Sequence, residues 1–364
     1  MKTPVLIGLA AVTVVAVVAA AAVVRDRSPA AAAGAGGTPV FPAIAAKPEE
    51  VAQLVVTRAD GGYTLTRKGE QWVLADRADY PVRAEQAKQA VAALVTLKLM
   101  EPKTQKPELL ARLEVEEPTQ PGAKSTLVTL KDAQGQELGR IILGKARPDS
   151  LENPRPGVYA RKPGDARAWL AEGDPKIRPA VSDWLDRQVL AVKTERVREI
   201  ATIAPDRARL VVTRDKAEDK DFKIYNLPEG TKVKNQSTLN DLAGLLDSLM
   251  MDDVQGATAI AFPASGASQA EFRTFDGLVV RLTIAEDKGA TWARVEAVTE
   301  PWRKVEGDKS TMVDPTDEVK KEADGLNARL RNHVFKLTDY TAKKLVSRLG
   351  DLTEKDEKKE EKKP

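Results

Sequence analysis

Leu54-Val-Val-Thr57, Tyr63-Thr-Leu-Thr66 and Trp72-Val-Leu74 are three β-rich runs parted by the turn signals Asp60-Gly61-Gly62 and Lys68-Gly69-Glu70. Ala87, Val91, Leu94 and Leu97 then recur at spacings of three and four, the period of an amphipathic helix. The same order returns more loosely from Glu199 to Met250. There Glu199-Ile-Ala-Thr-Ile203, Leu210-Val-Val-Thr213 and Phe222-Lys-Ile-Tyr225 precede a helical stretch carrying Leu239, Leu242, Leu245, Leu246 and Leu249. A strand–helix unit spelled twice implies a duplicated module.

Working outward, Ser125–Leu130 and Glu137–Leu143 form a strand pair around Asp132-Ala-Gln-Gly135, and Glu271–Phe275 and Val279–Ile284 answer it around Asp276-Gly277. Tyr159-Ala160-Arg161 is answered by Trp292-Ala293-Arg294. A helix expected over Ile177–Leu190, with Val181, Trp184 and Leu185 on one face, is answered by one over Asp339–Leu349. The repeats therefore run over 47–192 and 193–352. Between Pro301 and Leu330 the second copy holds a polar insertion in which Asp317–Leu330 has helical spacing. The last residues, 353–364, are nearly all Lys and Glu and cannot bury enough apolar area to offset ordering, so they read as a disordered tail.

The 364 residues exceed what one core usually serves. Although 30% of residues are charged, 57 Lys and Arg against 54 Asp and Glu leave a net +3 with no basic block, which argues against nucleic-acid binding. The absence of cysteine removes disulfides, thiolate nucleophiles and Cys-ligated zinc. From Pro4 to Val24 the chain is almost wholly Ala, Val, Leu and Ile, long enough to cross a hydrocarbon core of about 30 Å. That stretch suggests a transmembrane anchor over 1–27, with a cleaved signal peptide as the other reading, followed by an Ala/Gly/Pro linker over 28–46. The expected fold class is α+β: an N-terminal transmembrane helix, then two duplicated modules of mainly antiparallel sheet with packed amphipathic helices. The expected topology is single-pass, with the N-terminus inside, the bulk of the chain exported and the lipid bilayer as one partner.

No stretch specifies a reaction. Gly139-Arg-Ile-Ile-Leu-Gly144-Lys145-Ala146 has the glycine and lysine spacing of a phosphate loop. Arg-Ile-Ile-Leu is strand sequence, however, and Ala146 lacks the magnesium-holding hydroxyl, so no nucleotide is expected. His333, the sole histidine, has no nucleophile-elbow serine to serve and reads as a surface or strand-end residue. Glu114, Glu116 and Glu117, like Asp252 and Asp253, are paired acids on expected loops without calcium-ligand spacing. No catalytic, cofactor-binding or metal residue is assigned. Among the tryptophans, Trp72, Trp169, Trp184 and Trp292 sit at core-like positions, whereas Trp302 in Pro301-Trp-Arg-Lys304 is the leading candidate for a partner contact, with Trp292 second.

The chain resembles DUF4340, a family of unknown function. The resemblance is carried by Val40-Phe-Pro42, Val51-Ala-Gln-Leu-Val-Val-Thr-Arg58, Tyr63–Arg67 running into Gly69–Leu74, Tyr80-Pro-Val82, Trp184-Leu-Asp-Arg187 and Val197-Arg-Glu-Ile200. Arg83 departs from it where an acidic helix cap is usual. The resemblance implies a single-pass bacterial inner-membrane protein with a duplicated α+β body in the periplasm, auxiliary to the membrane and ATP-hydrolysing subunits of gliding-motility-type ABC transport systems, and it supplies no catalytic residue. The expected function is that of a non-enzymatic accessory or scaffold protein. The alternatives are a ligand- or glycan-binding module using a cleft between the repeats, and, last, a carboxylate-based hydrolase.

Overall fold

In Gln53–Arg58, Leu54 and Val56 alternate with Gln53, Val55 and Thr57, and the first pair is fully buried. That alternation commits one face to the core and fixes the pairing register, because a one-residue slip would turn Leu54 and Val56 to solvent. The strand pairs antiparallel with Gly61–Lys68, setting Leu54 opposite Leu65 and Val56 opposite Tyr63. Gly62 is required at the turn end of this hairpin, since a Cβ there would collide with the Val56 carbonyl oxygen. These features belong to a computed structural model that describes residues 37–147, 155–263, 265–306 and 309–356.

The chain forms two compact units, one of residues up to Asp76 with Pro81–Pro179, the other of Arg77–Tyr80 with Ala180 onward. The division falls between Pro179 and Ala180, upstream of the 192/193 join read from the sequence.

The first unit is built on a ten-stranded sheet, nine of whose strands lie in the order Thr38–Pro39, Lys98–Pro102, Ala168–Glu172, Gly157–Arg161, Glu137–Arg147, Thr126–Lys131, Gln53–Arg58, Gly61–Lys68, Gln71–Leu74. The second has a nine-stranded sheet in the order Gln188–Leu190, Leu249–Gly256, His333–Leu337, Ala290–Thr299, Leu278–Asp287, Ser268–Thr274, Val197–Ile203, Arg209–Thr213, Lys223–Ile224. The chain visits the nine positions in the same sequence in both sheets, and the pairings that cross each sheet are antiparallel. Trp72 and Leu94 are buried in the first unit, and Phe222 and Leu245 in the second.

The expected α+β class is corrected by these proportions: 41% of the described residues are in strands and 23% in helices, so the protein is mainly antiparallel β. Three expected helices shrink. Ile177–Leu190 yields a 3-10 turn at Val181–Asp183 and the edge strand Gln188–Leu190, because Pro179 lacks an amide hydrogen and biases Arg178 to extended backbone. The Leu239-to-Leu249 stretch is helical only over Gln236–Ala243. It tightens to 3-10 at Gly244–Leu246, and Leu249 opens a strand. The helix expected over Asp339–Leu349 stops at Leu345. The polar insertion does form its helix, Asp317–Leu330, N-capped by the Thr316 side chain.

The expected transmembrane helix and single-pass inner-membrane location are corrected with the fold class. Among the described residues no helix is long and apolar enough to cross a membrane, and the Pro4–Val24 stretch that carried both expectations lies outside the described residues.

The outer faces of the two sheets differ. In the first unit, Ile142 and Leu127 on that face are covered by Leu110, Leu113 and Val115 from the Pro-rich excursion after Pro102, forming a second small core with Ala168 and Tyr159. In the second unit the matching cluster joins Ile260 and Phe262 to Trp292, Val334 and Ala290. Beyond that cluster the face is mixed, with Arg, Glu, Gln and Thr side chains next to Ile203, Ala201 and Val211, and the insertion helix stands beside it.

Candidate functional site

The residues singled out from the sequence have local structural partners. Gly139 and Gly144 lie inside the strand Glu137–Arg147. A Cβ on Gly139 would enter the Phe41 ring, and one on Gly144 would strike the carbonyl oxygens of Leu113 and Glu114, so close packing explains both glycines. Asp252 and Asp253 stand at a bulge in Leu249–Gly256 rather than on a loop. Asp252 accepts from Arg187 Nη2 at 2.5 Å and Asp253 pairs with Arg77 at 3.2 Å. Glu117 accepts from the buried Arg161 at 2.7 Å, Glu116 accepts from the Lys124 amide, and Glu114 takes a left-handed φ of 58° at the end of a 3-10 turn.

His333 is buried, not exposed: it opens the strand His333–Leu337, its Nε2 lies 3.0 Å from the Ala78 oxygen, and the Tyr80 ring meets it edge-on. Burial pushes the Tyr80 phenol above its ordinary value. Trp302 is half-buried. Its Nε1 donates to the Phe275 oxygen at 2.6 Å, Phe275 packs against it in a T, and the Arg198 guanidinium lies 4.9 Å from its ring centre. Trp292 is 7% exposed and belongs to the cluster with Ile260 and Val334. The structure does not bring these two tryptophans together into a shared platform, since they belong to separate packing groups.

What the structure does assemble is a groove of about 860 Å³ on the outer face of the second sheet. Register generates it. Arg209, Ile203, Gln269, Thr283 and Arg294 form one row across five strands, and Val211, Ala201, Glu271, Arg281 and Glu296 form the next. Each residue is two positions along its strand from its neighbour in the adjoining row, so all ten share a face. Asn327 and Arg331, from the end of the insertion helix, form one wall.

The second row and its neighbours are internally compensated. Arg281 donates through Nε to Glu271 at 2.7 Å and through Nη2 to Glu300, while Arg273 pairs with Glu199 at 2.9 Å and with Glu271. Hydrogen bonding to Glu271 holds the Arg281 guanidinium above its ordinary value. The first row is different. Among the described residues the side chains of Arg209 and Arg331 have no ion pair or hydrogen bond, and Arg294 has only a 3.4 Å bond to the Ala257 oxygen and the face of Phe262 at 4.7 Å. Among the described residues, three arginines with no carboxylate partner thus line the groove, together with one carboxylate, Glu296, that has no cationic partner.

The wall is clamped to the sheet. Arg196 donates to both oxygens of Glu322 on the insertion helix, at 2.9 and 2.8 Å, and to Asp276 in the turn after Ser268–Thr274, at 2.8 Å. Hydrogen bonding to Glu322 raises Arg196. Burial alone would raise Asp276, but hydrogen bonds from Thr274 and Arg196 outweigh it and hold that carboxyl below its ordinary value. Further along, Arg329 donates to the Val189 oxygen at 2.7 Å, and Asn327 bonds both peptide groups of Ala297.

Sequence reading missed Arg209, Arg294 and Arg331. The available signal was Arg and Glu at alternate positions of otherwise apolar strands, as in Glu271-Phe-Arg273 and Arg294-Val-Glu296.

No curated protein and no solved structure matches the chain. Residues 72–271, more than half of it, match the model of DUF4340, a domain of unknown function, and the chain belongs to that family.

Proposed function

We propose that the chain is a non-enzymatic accessory or scaffold subunit, auxiliary to an ABC-type transport or export system, that holds a partner protein on the charged face of its second unit. The observation that carries this reading is the contrast between two sheets of one strand order. The first covers Ile142 and Leu127 on its outer face with Leu110, Leu113 and Val115, whereas at the matching strands the second leaves a groove of arginines and glutamates open. The fold can therefore be built without that charge. Charged side chains on a sheet face contribute little to stability when they lie in solvent, so a role in recognition accounts for them better than a role in folding.

The test is site-specific photo-crosslinking from Gln269, in the groove floor, in cells that express the native transport machinery. Adducts with the permease or ATP-hydrolysing subunits of such a system are expected. Adducts confined to unrelated proteins, with none to a transport subunit, would refute the reading.

A further inference from the structure

Resting on the binding role just described, we infer that the groove lined by Arg209, Arg294 and Arg331 receives an acidic peptide segment of the partner, its carboxylates spaced along an extended chain.

Charge comes first. The compensated lattice of Arg273 and Arg281 with Glu199, Glu271 and Glu300 anchors the floor, while Arg209 and Arg331 carry unmatched charge and Arg294 is braced against Phe262. Bracing on an aromatic face fixes the plane of a guanidinium and leaves N–H groups at its edge for bidentate carboxylate binding. Such a group loses less side-chain entropy on binding than a free lysine would.

Spacing comes next. Arg209 and Arg294 end the same row, four strand intervals apart, which at roughly 4.8 Å per interval separates their backbones by about 19 Å. One small anion cannot meet both. An extended peptide advances roughly 3.3 Å per residue, so about six residues cross the row. Between the two arginines the row holds the apolar Ile203 and then Gln269 and Thr283, neutral groups able to bond a peptide backbone.

The carboxylates decide the class. Glu296 lies beside Arg294 on the same face, and Glu271 is in the floor. A dense polyanion such as a phosphodiester backbone would bring a charge against every one of them, whereas a peptide with sparse acids can place its carboxylates at the arginines and a neutral or basic residue at Glu296. The groove also lacks an aromatic residue in its lining on which a sugar or base could stack.

The insertion makes the site specific to the second unit. Arg331 and Asn327 come from the segment between Ala290–Thr299 and His333–Leu337, and in the first unit the matching strands Gly157–Arg161 and Ala168–Glu172 are joined by a short turn.

The test uses the full chain and fluorescence anisotropy with a labelled peptide of about twelve residues, three glutamates separated by glycine and serine. Inorganic polyphosphate is the dense-anion comparison. Saturable peptide binding that weakens with salt is expected, falling roughly tenfold or more in Arg209→Gln/Arg294→Gln/Arg331→Gln. Glu296→Gln should tighten it a few-fold, a gain that misfolding cannot mimic. Absence of saturable binding, equal affinity in the triple variant, or tighter binding of polyphosphate than of peptide would overturn the inference. Failure of the transport assignment alone would leave the peptide binding intact, so the two outcomes are separable.

Discussion

The side-chain amide of Asn327 bonds both polar groups of Ala297: the Ala297 N–H donates to Oδ1 at 2.9 Å and Nδ2 donates to the Ala297 oxygen at 2.6 Å. Among the described residues Ala290–Thr299 is paired by His333–Leu337 at Trp292 and Ala293 alone, and beyond them its outer edge has no strand partner. Asn327 supplies at one residue what a neighbouring strand would supply, which closes an edge otherwise open to other chains. Asn327→Ala should cost about 1–3 kcal/mol, the scale of leaving buried peptide groups unpaired. Hydrogen exchange at the Ala297 amide should speed up markedly; unchanged protection there would show that the bond does not hold the edge.

Asp276 sets an acid limit on the second unit. Its carboxyl is held below the ordinary value of 3.8, so its contribution is fully present above that pH and is lost as pH falls through the lowered folded value. Unfolding monitored between about pH 5 and pH 2 should show this loss, and Asp276→Asn should flatten it while costing about 1 kcal/mol at neutral pH, a figure discounted for partial exposure. A variant with the same acid slope as the parent would exclude this carboxyl as the source.

Gly139→Ala and Gly144→Ala should both destabilise, but unequally. At Gly144 the new Cβ meets backbone carbonyl oxygens, and at Gly139 a Phe41 ring that can rotate aside. Costs of about 2–3 and about 1 kcal/mol follow from overpacking. Denaturant midpoints would decide it, and a reversed ranking would mean that Phe41 is held more rigidly than the strand.

Trp302→Phe keeps the stacking on Phe275 and the face beneath Arg198 but deletes the indole N–H bond to the Phe275 oxygen. A loss of about 1 kcal/mol is expected. Thermal unfolding indistinguishable from the parent would free Trp302 from a packing role and return it to consideration as a contact residue.

The alternation of Leu54 and Val56, of Tyr63 and Leu65, or of Val280, Leu282 and Ile284 made most strands of each sheet readable, because an antiparallel strand with one wet face shows its period directly. What stayed hidden was the far edge of each sheet, Thr38–Pro39 with Lys98–Pro102 and Gln188–Leu190 with Leu249–Gly256. Leu249-Met-Met-Asp-Asp-Val-Gln-Gly256 reads as the end of a leucine helix until Gln188–Leu190 and His333–Leu337 pair with it. Its acids are then matched by Arg187 and Arg77, which are far away in the chain. The groove was hidden for the same reason: Arg209, Arg294 and Arg331 become neighbours only through the register of five strands and the docking of a helix. Their types were visible, but their common face was not.

The short turn after Arg161 in the first unit stands where the second unit carries the ribbon of Trp302–Glu306 with Lys309–Val313 and the helix Asp317–Leu330. One copy thus preserves the module in its plain form, and the other shows that this connection tolerates a long addition. The pair is in effect a natural insertion experiment. It marks residues 162–167 as the place where the ribbon and helix, or an unrelated folded segment, could be grafted without rewiring the sheet.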